Sequence, residues 1–197
     1  MRHPLTGLSL TLRIHDKDGV LIRVVGPRPA RSFLVNHMKH LYAALTQTNL
    51  LGVVDTSGVS EDIQVSGGTL GWSKATAAIA DNTYGTQVGT GTTAVLPTQT
   101  ALVTLIAEGV AASQLNYGAT TIAVVAAGST EVTMDITRSF ANNSGGSINV
   151  QEVGLAVTSP NSIGTQHRFL VVRDLTGAVS VGAGQTLTVV YTYRTVL

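Results

Sequence analysis

The first part of the chain alternates between apolar and polar side chains with the period of a β-strand. Leucine and isoleucine occupy every second position over residues 8–14, with serine, threonine and arginine between them. This alternation predicts a strand with one buried face. Residues 16–19 (Asp-Lys-Asp-Gly) are typical of a tight turn, and residues 20–25 would return as the second strand of a hairpin. Residues 26–29 (Gly-Pro-Arg-Pro) are expected to end the pairing and lead the chain away.

Two later segments change to the period of an α-helix. Residues 32–45 predict an amphipathic helix with Ser32 as a candidate N-cap, and residues 97–109 predict a shorter helix that begins near a proline and ends at a glycine. Leu102, Leu105 and Ile106 would form one face of the shorter helix. The predicted apolar face of the longer helix consists of Phe33, Leu34, His37, Met38, Leu41, Tyr42 and Leu45.

The last 80 residues are rich in Val, Thr and Leu and are interrupted by regular turn signals. Such a pattern indicates consecutive antiparallel strands. Residues 169–172 are apolar on both faces, so this strand is expected to be fully buried. The predicted strands cover residues 121–126, 132–138, 148–157 with a bulge near residues 152–153, 169–172 and 187–194.

These patterns together predict a mainly β protein. We expect an antiparallel, jelly-roll-like β-sandwich with one amphipathic helix near the N-terminus and one short helix. Residues 1–50, the hairpin plus helix, would form a docking element. Residues 51–197 would form the sandwich and pack as one unit with the first region.

The low fraction of charged residues indicates that much of the surface contacts neighbouring subunits. Only 12% of the 197 residues are charged, and the formal net charge is +1. A surface with few charges can be covered by other subunits without desolvating many ions. The small net charge gives no field that would attract nucleic acid, and no stretch is long and apolar enough to predict a membrane helix. Seven of the twelve basic residues nevertheless fall within residues 1–40, which would suit a contact with a partner of opposite charge.

Candidate catalytic and cofactor motifs are sparse. Residues 89–94 (Gly-Thr-Gly-Thr-Thr-Ala) match part of a dinucleotide fingerprint, but no strand–helix unit is predicted around them. Asp55 begins Asp-Thr-Ser-Gly, which differs from the aspartic-protease motif and is better explained by an Asx turn. His37 and His40 lie one helical turn apart without further metal ligands nearby in the sequence. The chain has no cysteine. We therefore expect no catalytic residues, no cofactor and no metal.

Several segments in a fixed order resemble a group of tailed-bacteriophage virion proteins. They are the Gly-Thr-Gly-Thr-Thr stretch with the following Thr-Ala-Leu segment (residues 88–106), the Arg-Ser-Phe-Ala-Asn and Glu-Val-Gly-Leu strands (135–157), and the Arg-Asp and final Tyr-Thr strands (168–196). The first half follows in a similar order, with a hairpin, Arg-Ser-Phe-Leu-Val-Asn at residues 31–36 and Asp-Thr-Ser-Gly at residues 55–58. The resemblance implies a β-sandwich on the tail, neck or capsid exterior, and it transfers no catalytic residue.

The leading hypothesis is therefore a structural subunit of a virion that is assembled in the host cytoplasm. Its partners would be copies of itself, in a closed ring or trimer, and other virion proteins such as capsid, portal or tail proteins. Neither nucleic acid nor a membrane is an expected partner. The candidate interface residues are Arg28, Arg31, Phe33, His37, Tyr42, Tyr191 and Tyr193.

Two alternatives remain open at this point. A tail-fibre module that binds carbohydrate or a receptor would expose Trp72, Tyr84 and Tyr117 on one face to stack on sugar rings. An enzyme, such as a protease or a cell-wall hydrolase, would depend on Asp55 or His37.

Overall fold

The computed structural model describes residues 7–30, 33–64, 73–161 and 163–196. Within these ranges the chain forms one α-helix and twelve β-strands, so the fold is mainly β. In chain order the elements are β1 (Gly7–His15), β2 (Leu21–Pro29), α1 (Val35–Thr46), β3 (Leu50–Val54), β4 (Ser60–Ile63), β5 (Gly85–Gly89), β6 (Asn116–Tyr117), β7 (Thr121–Ile122), β8 (Ala126–Ala127), β9 (Glu131–Ala141), β10 (Ile148–Pro160), β11 (Gln166–Val181) and β12 (Thr186–Val196).

The strands form three sheets, and every ladder in them is antiparallel. The large sheet has the order β2-β1-β12-β9-β6, with β7 and β8 also paired to β9. A second sheet has the order β11-β10-β5, and β3 and β4 pair as a hairpin. The chain termini of the described region, β1 and β12, are therefore neighbours in the middle of the large sheet.

The N-terminal hairpin is confirmed, but its second strand is longer than predicted. Leu8, Leu10, Leu12 and Ile14 of β1 are all buried. Pairing of β2 with β1 continues to Pro29, across a register shift between Leu10 and Leu12, so the prediction that residues 26–29 leave the sheet is wrong. The prolines are tolerated because β2 is an edge strand, whose outer side needs no backbone N–H for pairing.

One apolar core connects the large sheet with the second sheet. Leu12 of β1 and Val189 of β12 belong to the same buried cluster as Val153 of β10 and Phe169 of β11. Ala43 of α1 belongs to this cluster too. Side chains from residues 1–50 and from residues 51–197 thus share a single core.

The C-terminal strands follow the predicted pattern with local differences. Residues 169–172 of β11 are all buried, as predicted. The bulge in β10 falls between Val150 and Glu152, just ahead of the predicted position. The predicted strand at 121–126 reduces to the two short, exposed pairs of β7 and β8 at its ends.

The predicted short helix at residues 97–109 is wrong, because this segment is held in a non-helical conformation by a buried carboxylate. Oε2 of Glu152 accepts from the backbone N–H of Val103 at 3.2 Å, and Oε1 accepts from that of Thr104 at 2.8 Å. Ile106 N donates to the carbonyl of Val88 on β5 at 3.0 Å. In an α-helix these three backbone N–H groups would point along the helix axis towards carbonyl groups of the helix itself. Here they donate to Glu152 and to β5 instead.

Glu152 forms an ion pair with Arg173 in the interior, and both side chains are fully buried. Nε of Arg173 lies 2.7 Å from Oε2 of Glu152. The remaining guanidinium nitrogens donate to Oε1 of Gln99 at 2.8 Å and to the carbonyl of Thr93 at 3.0 Å. The pair therefore fixes the loop between β5 and β6 through side-chain and backbone groups alike.

Arg138 on β9 is also fully buried, and all its partners are backbone carbonyls. Its nitrogens donate to the carbonyl oxygens of Gly118 at 2.7 Å, Tyr84 and Thr86 at 3.0 Å each, Ala78 at 3.2 Å and Asp81 at 2.5 Å. The planar guanidinium suits this divergent set, because its five N–H groups point in fixed directions. Arg138 thereby fastens the segment before β5 to the large sheet.

Candidate protein-interaction surface

The helix α1 presents its apolar stripe to solvent. We define the α1 stripe as Met38, Leu41, Tyr42 and Leu45, which follow the i, i+3, i+4, i+7 spacing of one helix face. These side chains are 59%, 43%, 56% and 77% exposed, respectively. α1 begins at Val35, and its N-cap position is Leu34 without a side-chain cap, so the prediction of Ser32 as the N-cap is wrong. Of the predicted apolar face, the stripe is exposed and Leu34 is buried.

The opposite face of α1 is buried although it carries two polar residues. Asn36, His40 and Ala43 point inward. Nδ2 of Asn36 donates to the carbonyl of Val54 at 3.0 Å, which ties the helix to the end of β3. The hydrophobic effect alone would bury the apolar stripe and expose the polar face. The hydrogen bonds of the buried polar groups therefore determine how α1 is oriented.

His40 is the second polar contact on this inward face. Its Nδ1 is hydrogen-bonded to Oγ of Ser73, and its ring meets Phe169 edge-on with centroids 5.0 Å apart. Burial, with a smaller contribution from nearby His37, lowers the pKa of His40 to about 4. The imidazole is therefore neutral at physiological pH and acts as a structural group.

An apolar cavity of about 290 Å³ opens beneath α1, between the large and the second sheet. Its lining includes Leu41 of the stripe and the predicted interface residues His37 and Tyr193. His37 stacks on Phe33 at 4.2 Å between ring centroids, and Phe33 lies 6.2 Å from Tyr193. The structure thus brings three of the predicted interface residues together beside the α1 stripe, and Tyr42 belongs to the stripe itself.

The other predicted interface residues lie elsewhere. Tyr191 is 0% exposed, and its hydroxyl is 3.3 Å from the carbonyl of Val153, so its assignment to an external surface is wrong. It is buried because its side chain belongs to the apolar core that connects the two sheets and that also includes Val153 of β10. Arg28 is partly buried and donates to the carbonyls of Leu175 and Thr176. Arg31 lies outside the described residues.

A second exposed apolar patch lies on the edge strand β2. Leu21, Ile22 and Val24 are each about half exposed. Sequence reasoning predicted residues 20–25 only as the return strand of the hairpin and did not identify these side chains as surface groups. Their signal was present in residues 20–25, because five of these six residues are apolar and one buried face of a strand would require only every second position.

The Asp55 turn is an Asx turn, as predicted. Oδ1 of Asp55 accepts from the backbone N–H groups of Ser57 and Val59, each at 2.9 Å, and Oδ2 lies 3.2 Å from Nδ1 of His167. Burial raises the pKa of Asp55, but the hydrogen bonds outweigh that effect and the pKa lies below its usual value. The carboxylate is therefore ionised, with Oδ1 holding the turn and Oδ2 in contact with His167.

The Gly-Thr segment at residues 89–94 is a packed loop. A Cβ atom on Gly89 or Gly91 would overlap the carboxylate of Glu152. The N–H of Gly91 donates to this carboxylate at 3.0 Å. The glycines are thus explained by close approach to an internal side chain.

The aromatic residues expected to stack on sugars are not on the surface. Tyr84 is 9% and Tyr117 1% exposed, so that prediction is wrong for both. The Tyr117 hydroxyl donates to the carbonyl of Ile106 at 2.6 Å within the core. Trp72 lies outside the described residues.

Within the described ranges, no three histidine, aspartate or glutamate side chains come together as a metal site. Among the same residues, no helix has the length and apolarity needed to span a membrane. Comparison of the chain with protein-family models, curated proteins and solved structures gives no significant match.

Proposed function

We propose that this protein is a non-enzymatic structural subunit of a tailed-phage virion, on the tail, the neck or the capsid exterior. It would assemble with copies of itself and with other virion proteins, without nucleic acid or membrane as partners. The observation that carries this proposal is the orientation of α1, which exposes Met38, Leu41, Tyr42 and Leu45 while it buries Asn36 and His40. Exposed apolar patches of this kind mark protein contacts.

The free energy available from covering the α1 stripe is too small for an interface that uses this stripe alone. Covering four half-exposed large side chains would contribute roughly 3–6 kcal/mol, at 1.5–3 kcal/mol for each fully buried side chain. Association costs on the order of 4–15 kcal/mol in lost freedom and ordering. The α1 stripe alone therefore cannot hold a stable dimer. A closed ring in which each subunit also uses the β2 edge, with Leu21, Ile22 and Val24, would supply the additional contact.

We further propose that the large and second sheets form a β-sandwich with a jelly-roll-like arrangement. The shared core of β1, β12, β10 and β11 supports the sandwich. Such a rigid, strand-rich body with few charges suits close packing between subunits.

Assembly can be tested by sedimentation velocity on the purified chain over a concentration series. We expect a closed oligomer for the native protein and a shift to monomer for Leu45→Asp, since the charge would lie in the interface. Val124→Asp is the matched control, because Val124 is 91% exposed and lies on a different segment, between β7 and β8. A native protein that stays monomeric, or an oligomer that Leu45→Asp leaves intact, would contradict the role of α1.

Placement in the particle needs a separate experiment. Gold-labelled copies imaged on intact phage particles should appear on the shell or at one vertex, where the first pattern indicates decoration and the second a neck or tail component. Particles that carry no label at all would refute the virion assignment.

A further inference from the structure

A cleft of about 700 Å³ lies away from α1, where four separate segments of the chain meet. The segments are the Asp55 turn, the residues just before β5, the loop between β5 and β6, and the start of β11. The α1 stripe contributes no residue to the lining. The volume is in the range that holds a small ligand.

Several polar groups in this cleft have hydrogen-bonding capacity that the described residues do not use. The side chains of Thr56 and Asn82 have no side-chain hydrogen bond to another described residue. Nη1 of Arg168 donates to the carbonyl of Gln166 at 3.0 Å, while its Nη2 has no hydrogen-bond partner among the described residues. Oε1 of Gln166 accepts from Thr158 at 3.0 Å, which leaves its amide N–H groups for a ligand. Donors and acceptors thus converge on one site.

Asp55 and His167 also line the cleft, but they contact each other, with Nδ1 of His167 3.2 Å from Oδ2 of Asp55. We therefore assign them a structural role in the cleft. Nε2 of His167 also lies 3.4 Å from Oε2 of Glu61. The lining also contains one formal positive charge, on Arg168, and one formal negative charge, on Asp55. A strongly charged ligand would gain little net attraction from such a site.

The same cleft offers apolar surface beside its polar groups. Ala101, Leu102 and Leu105 all come from the loop between β5 and β6. A ligand that fits this mixture carries many hydroxyl groups, which both donate and accept, together with exposed C–H faces. Neutral sugars have this chemistry, and amide side chains suit them because each offers both a donor and an acceptor.

We propose that this cleft binds a neutral carbohydrate, with Asn82, Gln166 and Arg168 as the hydrogen-bonding residues and Leu105 as an apolar contact. The proposal needs no surface tyrosine or tryptophan. It is independent of assembly through α1, so failure of either proposal leaves the other standing.

Saturation-transfer NMR and titration calorimetry on the full chain test this proposal directly. The probes are glucose, galactose, mannose, rhamnose and N-acetylglucosamine, followed by a polysaccharide of any sugar that binds. We expect saturation transfer to at least one free sugar, and tighter binding of the polymer if the source is a surface polysaccharide. Inorganic phosphate is included as a charged probe.

Substitutions then assign the binding to the cleft. Asn82→Ala and Gln166→Ala should each weaken binding at least tenfold, and Ala101→Trp should abolish it by filling the cleft. Asn143→Ala, which removes an exposed amide on the turn after β9, should bind like the native protein. Far-UV circular dichroism confirms that each variant is folded, and Ala101→Trp provides the test if an amide variant is not. Absence of transfer to every sugar, binding of phosphate alone, or sugar binding that survives Ala101→Trp would overturn the proposal.

Discussion

Glu152→Gln should destabilise the fold strongly, because it leaves the buried guanidinium of Arg173 without its counter-charge. Both side chains are fully buried, and their contact is 2.7 Å. The substitution keeps the size of the side chain. It also replaces one carboxylate oxygen by an NH₂ group, which cannot accept hydrogen bonds. Either the bonds from Gly91 and Thr104 at Oε1 or those from Val103 and Arg173 at Oε2 are therefore lost.

The expected loss is large relative to the stability of a typical domain. Breaking a buried ion pair by removing one partner costs about 3–5 kcal/mol. Protein domains are commonly stable by only about 5–15 kcal/mol. For a chain of this size, such a loss lowers the melting temperature by roughly 6–20 °C.

The assay is urea denaturation followed by circular dichroism, for the native protein, Glu152→Gln, Arg173→Met and the double variant Glu152→Leu/Arg173→Met. Removing both charges together often restores stability in other proteins. Here the double variant should recover only part of the loss. The reason is that the backbone N–H groups of Gly91, Val103 and Thr104 would remain buried without an acceptor.

Two outcomes would refute this reasoning. A change below about 0.5 kcal/mol for Glu152→Gln is the size expected of an ordinary surface substitution, so it would mean that the pair is not buried as described. Full recovery in the double variant would mean that the carboxylate does not hold the loop between β5 and β6.

Three further predictions concern other buried groups. Arg138→Lys should cost at least about 3 kcal/mol in urea denaturation, since one ammonium group cannot reach five divergent carbonyls; near-native stability would contradict the network. For His40, whose pKa is lowered from 6.5 to about 4, only the unfolded chain binds the proton between these values. Its contribution is therefore fully present above pH 6.5, and roughly 3 kcal/mol should be lost as pH falls to 4. His40→Leu should remove that part of the slope in pH-dependent denaturation, and an unchanged slope would argue against burial of the ring. Gly91→Ala should lower the urea midpoint, because its Cβ overlaps the carboxylate of Glu152, whereas Gly145→Ala on an open turn should lower it less.

The local pattern of apolar residues was sufficient to predict the long strands. The alternating apolar positions of residues 8–14 and the continuous apolar run at residues 169–172 are buried, as predicted. In these segments the local pattern and the tertiary core agree. Tyr191 shows the limit of such reasoning, since its spacing placed it on one face of β12 but did not show that this face packs against the second sheet.

The two helix predictions differ from the structure for different physical reasons. Periodicity locates a stripe on α1 but does not determine which way it faces, and here hydrogen bonds of Asn36 and His40 decide the orientation. The segment 97–109 has helical spacing, yet two of its backbone N–H groups, those of Val103 and Thr104, donate to Glu152, which lies some 50 positions away in the chain. Such long-range contacts leave no signal in a local window.

The candidate surfaces were predictable only in part. Phe33, His37 and Tyr42 were identified from the sequence and lie on or beside the α1 stripe. The cleft could not be predicted, because its lining comes from four segments that are far apart in the chain.

The role of the α1 stripe can be tested most directly by thiol labelling, since the chain has no native cysteine. Single variants Leu45→Cys and Val124→Cys would be labelled with a maleimide, as dissociated chains and as assembled oligomers or particles. We predict that Cys at position 45 reacts at least tenfold more slowly after assembly, while Cys at position 124 keeps its rate. Equal labelling of position 45 before and after assembly would contradict the claim that neighbouring subunits cover this helix.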